Sequence, residues 1–134
     1  MKIYGDMAMT LNFDPAGKGL AKVLRDYQVE ALRLVWAKGD DGAISKEVWQ
    51  HSNKALKGVR TISRASIINF LNSMVDEGAL NYKEETCKGG SRRIYSPKLD
   101  ERGFKKHIAE IVITSLIRDF PEETKETLKE LKLI

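Results

Sequence analysis

The chain has 134 residues, of which 42% are hydrophobic and 31% charged, and its net charge is +4, a composition typical of one globular domain with an appendage. A single cysteine, Cys87, excludes an intramolecular disulfide. No apolar run approaches the ~20 residues of a membrane span, and Met1 to Leu11 lacks the apolar core of a signal peptide, so we expect an intracellular, cytoplasmic protein without a membrane partner.

The N-terminal arm, residues 1–24, is rich in glycine and has little periodicity, with a short strand predicted at Ala8–Phe13. A first helix is predicted over Asp26–Lys38, with Asp26 as its N-cap. Glycine and aspartate end it at residues 39–42. Its apolar residues recur at helical spacing: Val29, Leu32, Val35 and Trp36.

Two further helices follow a short apolar link at Ala43-Ile44, which predicts a brief strand. Ser45 is predicted to cap the second helix, Ser45–Ala55. The third helix is predicted to begin near Ser63 and to end at Gly78, a natural left-handed C-cap. Its apolar face consists of Ile67, Phe70, Leu71, Met74 and Val75. Its opposite, polar side consists of Ala65, Asn69, Asn72, Ser73 and Asp76, with Ser66 at the boundary.

Positive charge is concentrated around these two helices. Between Gly42 and Ser66 the only acidic residue is Glu47. The basic residues of the same segment are Lys46, Lys54, Lys57, Arg60 and Arg64. Such a segment favours a polyanionic partner, and the alternative is a solvated lysine-rich surface.

The apolar period changes from helical to alternating after Gly78. Leu80 to Glu84 and Arg93 to Ser96 read as two strands, and Gly89-Gly90 between them predicts a β-hairpin. The cations Lys88, Arg92 and Arg93 flank the glycines and suit phosphate contact. The alternative is a turn kept soluble by its charge.

Two C-terminal helices complete the chain, one over about Asp100 to Phe120 and one opened by Pro121. Apolar residues surround much of the first helix, which indicates burial on more than one side, with a second copy as the partner. The predicted dimer interface consists of Ile108, Ile111, Val112, Leu116, Ile117, Phe120, Leu128 and Leu131.

The order of these elements predicts an α+β fold, mainly α with a small β-hairpin wing. Three helices followed by a two-stranded hairpin are typical of a winged helix-turn-helix domain, here residues 25–99. Residues 100–134 would then form the C-terminal dimerisation helices.

Four stretches of the chain resemble the penicillinase-repressor family of winged helix regulators, within the broader multiple-antibiotic-resistance-type group. They are Leu32–Trp36, Ile44–Trp49, Ser66–Leu80 and Arg93–Pro97. The resemblance implies a homodimeric repressor on a palindromic operator, dimerised through its C-terminal helices. Arg64-Ala65-Ser66 stands where that family usually has consecutive threonines, and the cysteine-rich metal motif of its copper-responsive members is absent.

We therefore expect a sequence-specific binder of double-stranded DNA, active at the nucleoid as a homodimeric regulator. Arg60, Arg64 and the hairpin cations would hold phosphate, and removal of Arg92 would weaken binding to every sequence. The predicted contact residues are Lys46, Lys57, Arg60, Ser63, Arg64, Ser66, Asn69, Ser73, Lys88, Arg92 and Arg93.

No enzymatic chemistry, cofactor or metal site is expected. His51, His107 and Cys87 have no ligand-like spacing, and the chain contains no phosphate loop or nucleophile elbow. Two other functions stay open. A protein–protein adaptor would expose apolar residues on the third helix, and an RNA or single-strand binder would expose stacking aromatics, for which Tyr82 and Tyr95 are the candidates.

Overall fold

The computed structural model describes residues 11–134, which form a mainly helical protein with a small antiparallel sheet, as the α+β prediction requires. Residues 11–13 are not in a strand, and the rest of the strand predicted at Ala8–Phe13 lies outside the described residues. The elements are α1 (Asp26–Lys38), β1 (Ala43–Ile44), α2 (Ser45–Ala55), α3 (Arg64–Glu77), β2 (Leu80–Cys87), β3 (Gly90–Pro97), α4 (Glu101–Asp119) and α5 (Pro121–Glu130).

The sheet has three strands in the order β1-β3-β2, all antiparallel. β2 and β3 form the predicted hairpin, paired from Leu80 opposite Pro97 to Cys87 opposite Gly90. Gly89 and Gly90 both have positive φ, 89° and 143°, which explains why glycine occupies the turn. Short β1 pairs with the base of β3 and thereby joins the hairpin to the helices.

One hydrophobic core joins α1, α2, α3 and the base of the hairpin. Its fully buried side chains include Leu32, Val48, Ile67 and Leu80. The predicted apolar face of α3 is confirmed, with four members buried and Val75 packed at the margin. Because the four share one face of α3, that helix is held against the core along its length.

The arm and α4 both contribute to this core. Val23 and Leu24 of the predicted arm are buried in it. Phe104, on the first turn of α4, is fully buried with its ring centroid 5.9 Å from that of Trp36. The indole Nε1 of Trp36 donates to the carbonyl of Leu99 at 3.1 Å. The beginning of α4 is therefore part of the domain rather than a separate appendage.

Two predicted N-caps are wrong by one residue. Arg25 is the N-cap of α1, and its N–H is accepted by Oε1 of Gln28 at 2.9 Å. Ile44 is the N-cap of α2, and its N–H is accepted by Oε1 of Glu47 at 3.1 Å. In both cases a long polar side chain of the first turn, Gln28 or Glu47, accepts the backbone N–H of the N-cap residue. Asp26 and Ser45 are therefore the first helical residues rather than the caps.

The C-terminal helices leave many apolar side chains uncovered, but not all of the predicted ones. Ile111 is buried by its own chain, only 9% exposed, so it is not available to a partner. Ile108, Val112 and Leu128 are half-buried. The exposed members are Leu116, Ile117, Phe120 and Leu131, joined by Ile113, Leu133 and Ile134. Within residues 11–134, no helix combines the length and apolar character needed to cross a membrane.

Candidate nucleic-acid interface

The loop between α2 and α3 is fixed by two side chains of α2. Oδ1 of Asn53 accepts the N–H of Ile62 at 2.7 Å, and its Nδ2 donates to the carbonyl of the same residue at 3.1 Å. Nε1 of Trp49 donates to that carbonyl as well, at 2.8 Å. Because Ile62 immediately precedes the N-cap of α3, these bonds set where α3 begins relative to α2.

The N-terminus of α3 is exposed, polar and free of acidic residues. Ser63, near which the helix was predicted to begin, is its N-cap, and Oγ of Ser63 accepts the N–H of Ser66 at 3.1 Å. Arg64, Ala65 and Asn69 are exposed, and the first turn has no acidic side chain. The positive end of the helix dipole therefore meets solvent beside small side chains, which permits close approach of an anion.

The C-terminal half of the predicted polar side of α3 is less accessible to a ligand than the N-terminal half. Ser73 is half-buried, and its Oγ donates to the backbone carbonyl of Asn69 at 2.8 Å. Asn72 is half-buried and turned toward the hairpin rather than toward solvent. Asp76 is exposed at the C-terminal end. The accessible part of α3 is thus its first half, from Arg64 to Asn69.

The predicted cations divide into paired and unpaired groups. Nε of Arg60 lies 3.2 Å from Oδ2 of Asp26, and Nε of Arg92 lies 3.2 Å from Oε2 of Glu85. The other exposed cations of the predicted set form no ion pair with any described residue: Lys46, Lys57, Arg64 and Lys88. Phosphate can approach the second group without displacing a carboxylate.

The two hairpin arginines point to opposite faces, because side chains alternate along a strand. Arg92 shares its face with Glu85, which lies opposite it in the ladder. This face is also near α2: the N–H of Ile44 and the ammonium of Lys38 hold the pKa of Glu47 below its ordinary value of 4.5, and the charge of Arg92 adds to that effect. Arg92 is therefore paired with one carboxylate, Glu85, and lies within electrostatic reach of a second, Glu47.

Arg93 lies on the face that meets α3. Its guanidinium carbon sits 3.9 Å from the centroid of the Tyr82 ring, and its Nη1 donates to Oδ1 of Asn72 at 3.1 Å. The same oxygen accepts the hydroxyl of Tyr95 at 2.6 Å. Burial raises the pKa of Tyr95 above its ordinary value of 10.0, which keeps this hydroxyl protonated as a donor.

Sequence reasoning missed this cluster of Asn72, Tyr82, Arg93 and Tyr95. Helical spacing placed Asn72 on the solvent side of α3, and its bonding partners lie 21 and 23 residues further along the chain. The alternation of the hairpin strands was the available signal, since it places Tyr82, Arg93 and Tyr95 on one face.

The remaining titratable candidates do not assemble into a metal centre. Among residues 11–134, no three or more His, Cys, Asp or Glu side chains are grouped as metal ligands. Nε2 of His107 lies 3.2 Å from Oε1 of Glu77, both buried between α4 and α3. His51 faces Glu30 of α1 at 3.4 Å, and Cys87 is half-buried at the end of β2.

Comparisons of the chain with protein-family models, with curated proteins and with solved structures found no match.

Proposed function

We propose that this protein is a sequence-specific binder of double-stranded DNA that acts as a homodimeric transcriptional repressor. The observation that carries the proposal is the N-terminal half of α3. It is anchored in the core on one side, it exposes Ala65 and Asn69 on the other with Ser66 half-buried between them, and its first turn contains no acid. It is a binding protein in this proposal, without a reaction of its own.

The arrangement of elements supports a winged helix-turn-helix. α2 and α3 are joined by a short fixed loop, the β2–β3 hairpin follows α3 directly, and β1 pairs with β3, the central strand of the sheet. In such domains the helix that follows the turn enters the major groove, and the hairpin lies against the neighbouring backbone. α3 is the candidate recognition helix and β2–β3 the candidate wing.

The chemistry of the exposed groups suits this mode of binding. Asparagine can pair with the N6 and N7 edge of adenine, and serine can donate or accept at several base edges, which gives Asn69 and Ser66 the reading role. Phosphate contacts fix position and supply most of the electrostatic attraction. The unpaired cations Lys46, Lys57, Arg64 and Lys88 are available for them.

The proposal of a homodimer is based on the exposed apolar side chains of the C-terminal helices. Leu116, Ile117 and Phe120 are between 40% and 56% exposed, although each is large and apolar. A second copy packed through these helices would remove them from water. It would also present two copies of α3, as binding to a palindromic site requires.

Two observations favour duplex DNA over the other partners. α3 contributes none of the large exposed hydrophobic side chains, whereas an adaptor surface would need them. A single-strand binder needs free aromatic faces, but Tyr95 is only 2% exposed and a face of Tyr82 is covered by Arg93.

A shift assay on fragmented genomic DNA, run with size measurement of the free protein, tests the proposal. We expect a dimer that retains a small subset of fragments in the presence of excess single-stranded competitor. Asn69→Ala should abolish the preference among fragments, while Asn81→Ala, at an exposed asparagine at the base of β2, should leave it intact. Equal retention of all fragments by the wild type, or none, would contradict the proposal.

A further inference from the structure

We propose that Asn72 is a positioning residue that fixes the guanidinium of Arg93 beside α3, so that the helix and the hairpin meet the DNA backbone as one rigid unit. This inference rests on the proposed function. In this inference Asn72 does not contact nucleic acid. It acts by fixing the position of Arg93, which does.

The first step is the location of Asn72 on the helix. Ala65, Asn69 and Asn72 follow one another at intervals of four and three residues and therefore form one stripe along α3. The first two are exposed, and the third is covered by Arg93. With a rise of about 1.5 Å per residue, Arg93 stands about one helical turn beyond Asn69. Its charge is thus at the end of the stripe proposed to read bases.

The second step is how Arg93 is held. One side of the guanidinium plane lies over Tyr82 at 3.9 Å, and Nη1 donates to Asn72 at 3.1 Å. Most of the N–H donors of the guanidinium remain for a phosphate. Glu84 stands opposite Arg93 in the ladder, but no ion pair joins the two side chains. Arg93 is therefore both ordered and free of a carboxylate, unlike its neighbour Arg92.

The third step is what this order does to binding. A long flexible cation normally loses rotamer freedom when it contacts phosphate, and that loss weakens binding. Here the freedom of Arg93 is already restricted in the unbound protein by its contacts with Tyr82 and Asn72. Asn72 also accepts from the buried hydroxyl of Tyr95, so its own side chain cannot turn away without leaving that donor unpaired.

The competing explanation is that Asn72 only stabilises the packing of the hairpin on α3. The two explanations differ in whether the effect of Asn72 on binding passes through Arg93. A double-mutant cycle measured on DNA affinity separates them, because only coupled residues give a non-additive result. The variants are Asn72→Ala, Arg93→Met and both together, with Asn81→Ala as the control, which removes an exposed asparagine outside this cluster.

The probe is a fluorescently labelled duplex of mixed sequence, measured by anisotropy with the full chain, beside thermal unfolding of each variant. We expect Asn72→Ala to lower affinity about fivefold in the wild-type background and less than about twofold when Arg93 is methionine. Asn81→Ala should change affinity less than about twofold.

Equal losses from Asn72→Ala in both backgrounds would overturn the positioning role, even if the wild type binds duplex well. If Asn72→Ala does not fold, Arg93→Met and Arg92→Met decide the matter. Equal effects of these two on affinity would overturn the inference, and a loss confined to Arg93→Met supports it. Failure of the wild type to bind any duplex would instead refute the proposed function, and the inference with it.

Discussion

The side-chain amide of Asn53 pairs with both backbone groups of Ile62, accepting the N–H at 2.7 Å and donating to the carbonyl at 3.1 Å. An asparagine on one helix thereby replaces the missing backbone partner of the loop that leads to the next. Since Ser63 caps α3 immediately afterwards, the start of the candidate recognition helix is fixed by Asn53 together with Trp49, which donates to the same carbonyl.

Replacement of this asparagine should affect both stability and binding. Asn53→Ala leaves two partly buried backbone groups of Ile62 without the amide, and we expect the free energy of unfolding to fall by about 1–3 kcal/mol. We also expect duplex affinity to fall about tenfold below the unfolding temperature, because α3 loses its fixed start. Thermal unfolding and anisotropy measure the two effects. Asn81→Ala is the matched control, and an unchanged affinity in Asn53→Ala would refute the positional role of the loop.

The ion pair between Arg60 and Asp26 should oppose DNA binding. Asp26 must release Arg60 before phosphate can take its place, and its own charge repels phosphate. We therefore expect Asp26→Asn to raise duplex affinity about two- to threefold at low salt, with less gain at high salt. Glu126→Gln removes the same charge from an exposed position on α5 and should change affinity less. A lower affinity in Asp26→Asn would place Arg60 outside the interface.

Acid should weaken the junction between α1 and α2 through Glu47. Its pKa is lowered below 4.5, first by the N–H of Ile44 and then by Lys38. A carboxylate with a lowered folded-state pKa contributes stability above its unfolded value, and this contribution is lost as the pH falls through the folded-state pKa. Chemical denaturation of the wild type and Glu47→Gln should give curves that converge below pH 4.5 and separate above it. A difference that is independent of pH would contradict this assignment.

The exposed apolar side chains of α4 should govern the oligomeric state. Leu116→Asp combined with Ile117→Asp is expected to change the measured mass from twice that of the chain to that of one chain, 15.2 kDa. The melting temperature of the domain should change little, since both side chains are already exposed. Val59→Asp, at a still more exposed apolar residue outside these helices, is the control. A wild type that is monomeric at micromolar concentration would remove the basis for a palindromic site.

The elements that sequence predicted well are the ones that local chemistry determines. α1 and α2 have the predicted bounds, and α3 runs between Ser63 and Gly78, where it was predicted to begin and end, because helical periodicity and cap residues act within a few positions. The N-caps of α1 and α2 were misassigned by one residue because the side chains of Gln28 and Glu47 accept the backbone N–H of the preceding residues, Arg25 and Ile44.

The site was less predictable because its decisive contacts join distant parts of the chain. Composition shows that Arg60, Arg92 and Arg93 are basic, but not that the first two face carboxylates and the third faces Tyr82. The sequence predicted both Arg92 and Arg93 as phosphate contacts, and we now expect Arg93 to be the stronger of the two. Ile111 similarly followed the apolar pattern of a dimer interface but is covered by its own chain.

The salt dependence of duplex binding tests the central claim most directly. The logarithm of the affinity of the wild type for a labelled duplex should fall linearly with the logarithm of salt concentration, with a slope steeper than about −3, because Lys46, Lys57, Arg64 and Lys88 each displace a counterion. The same measurement with a single strand of equal length should give much weaker binding. A slope near zero, or equal affinity for the duplex and the single strand, would contradict the account.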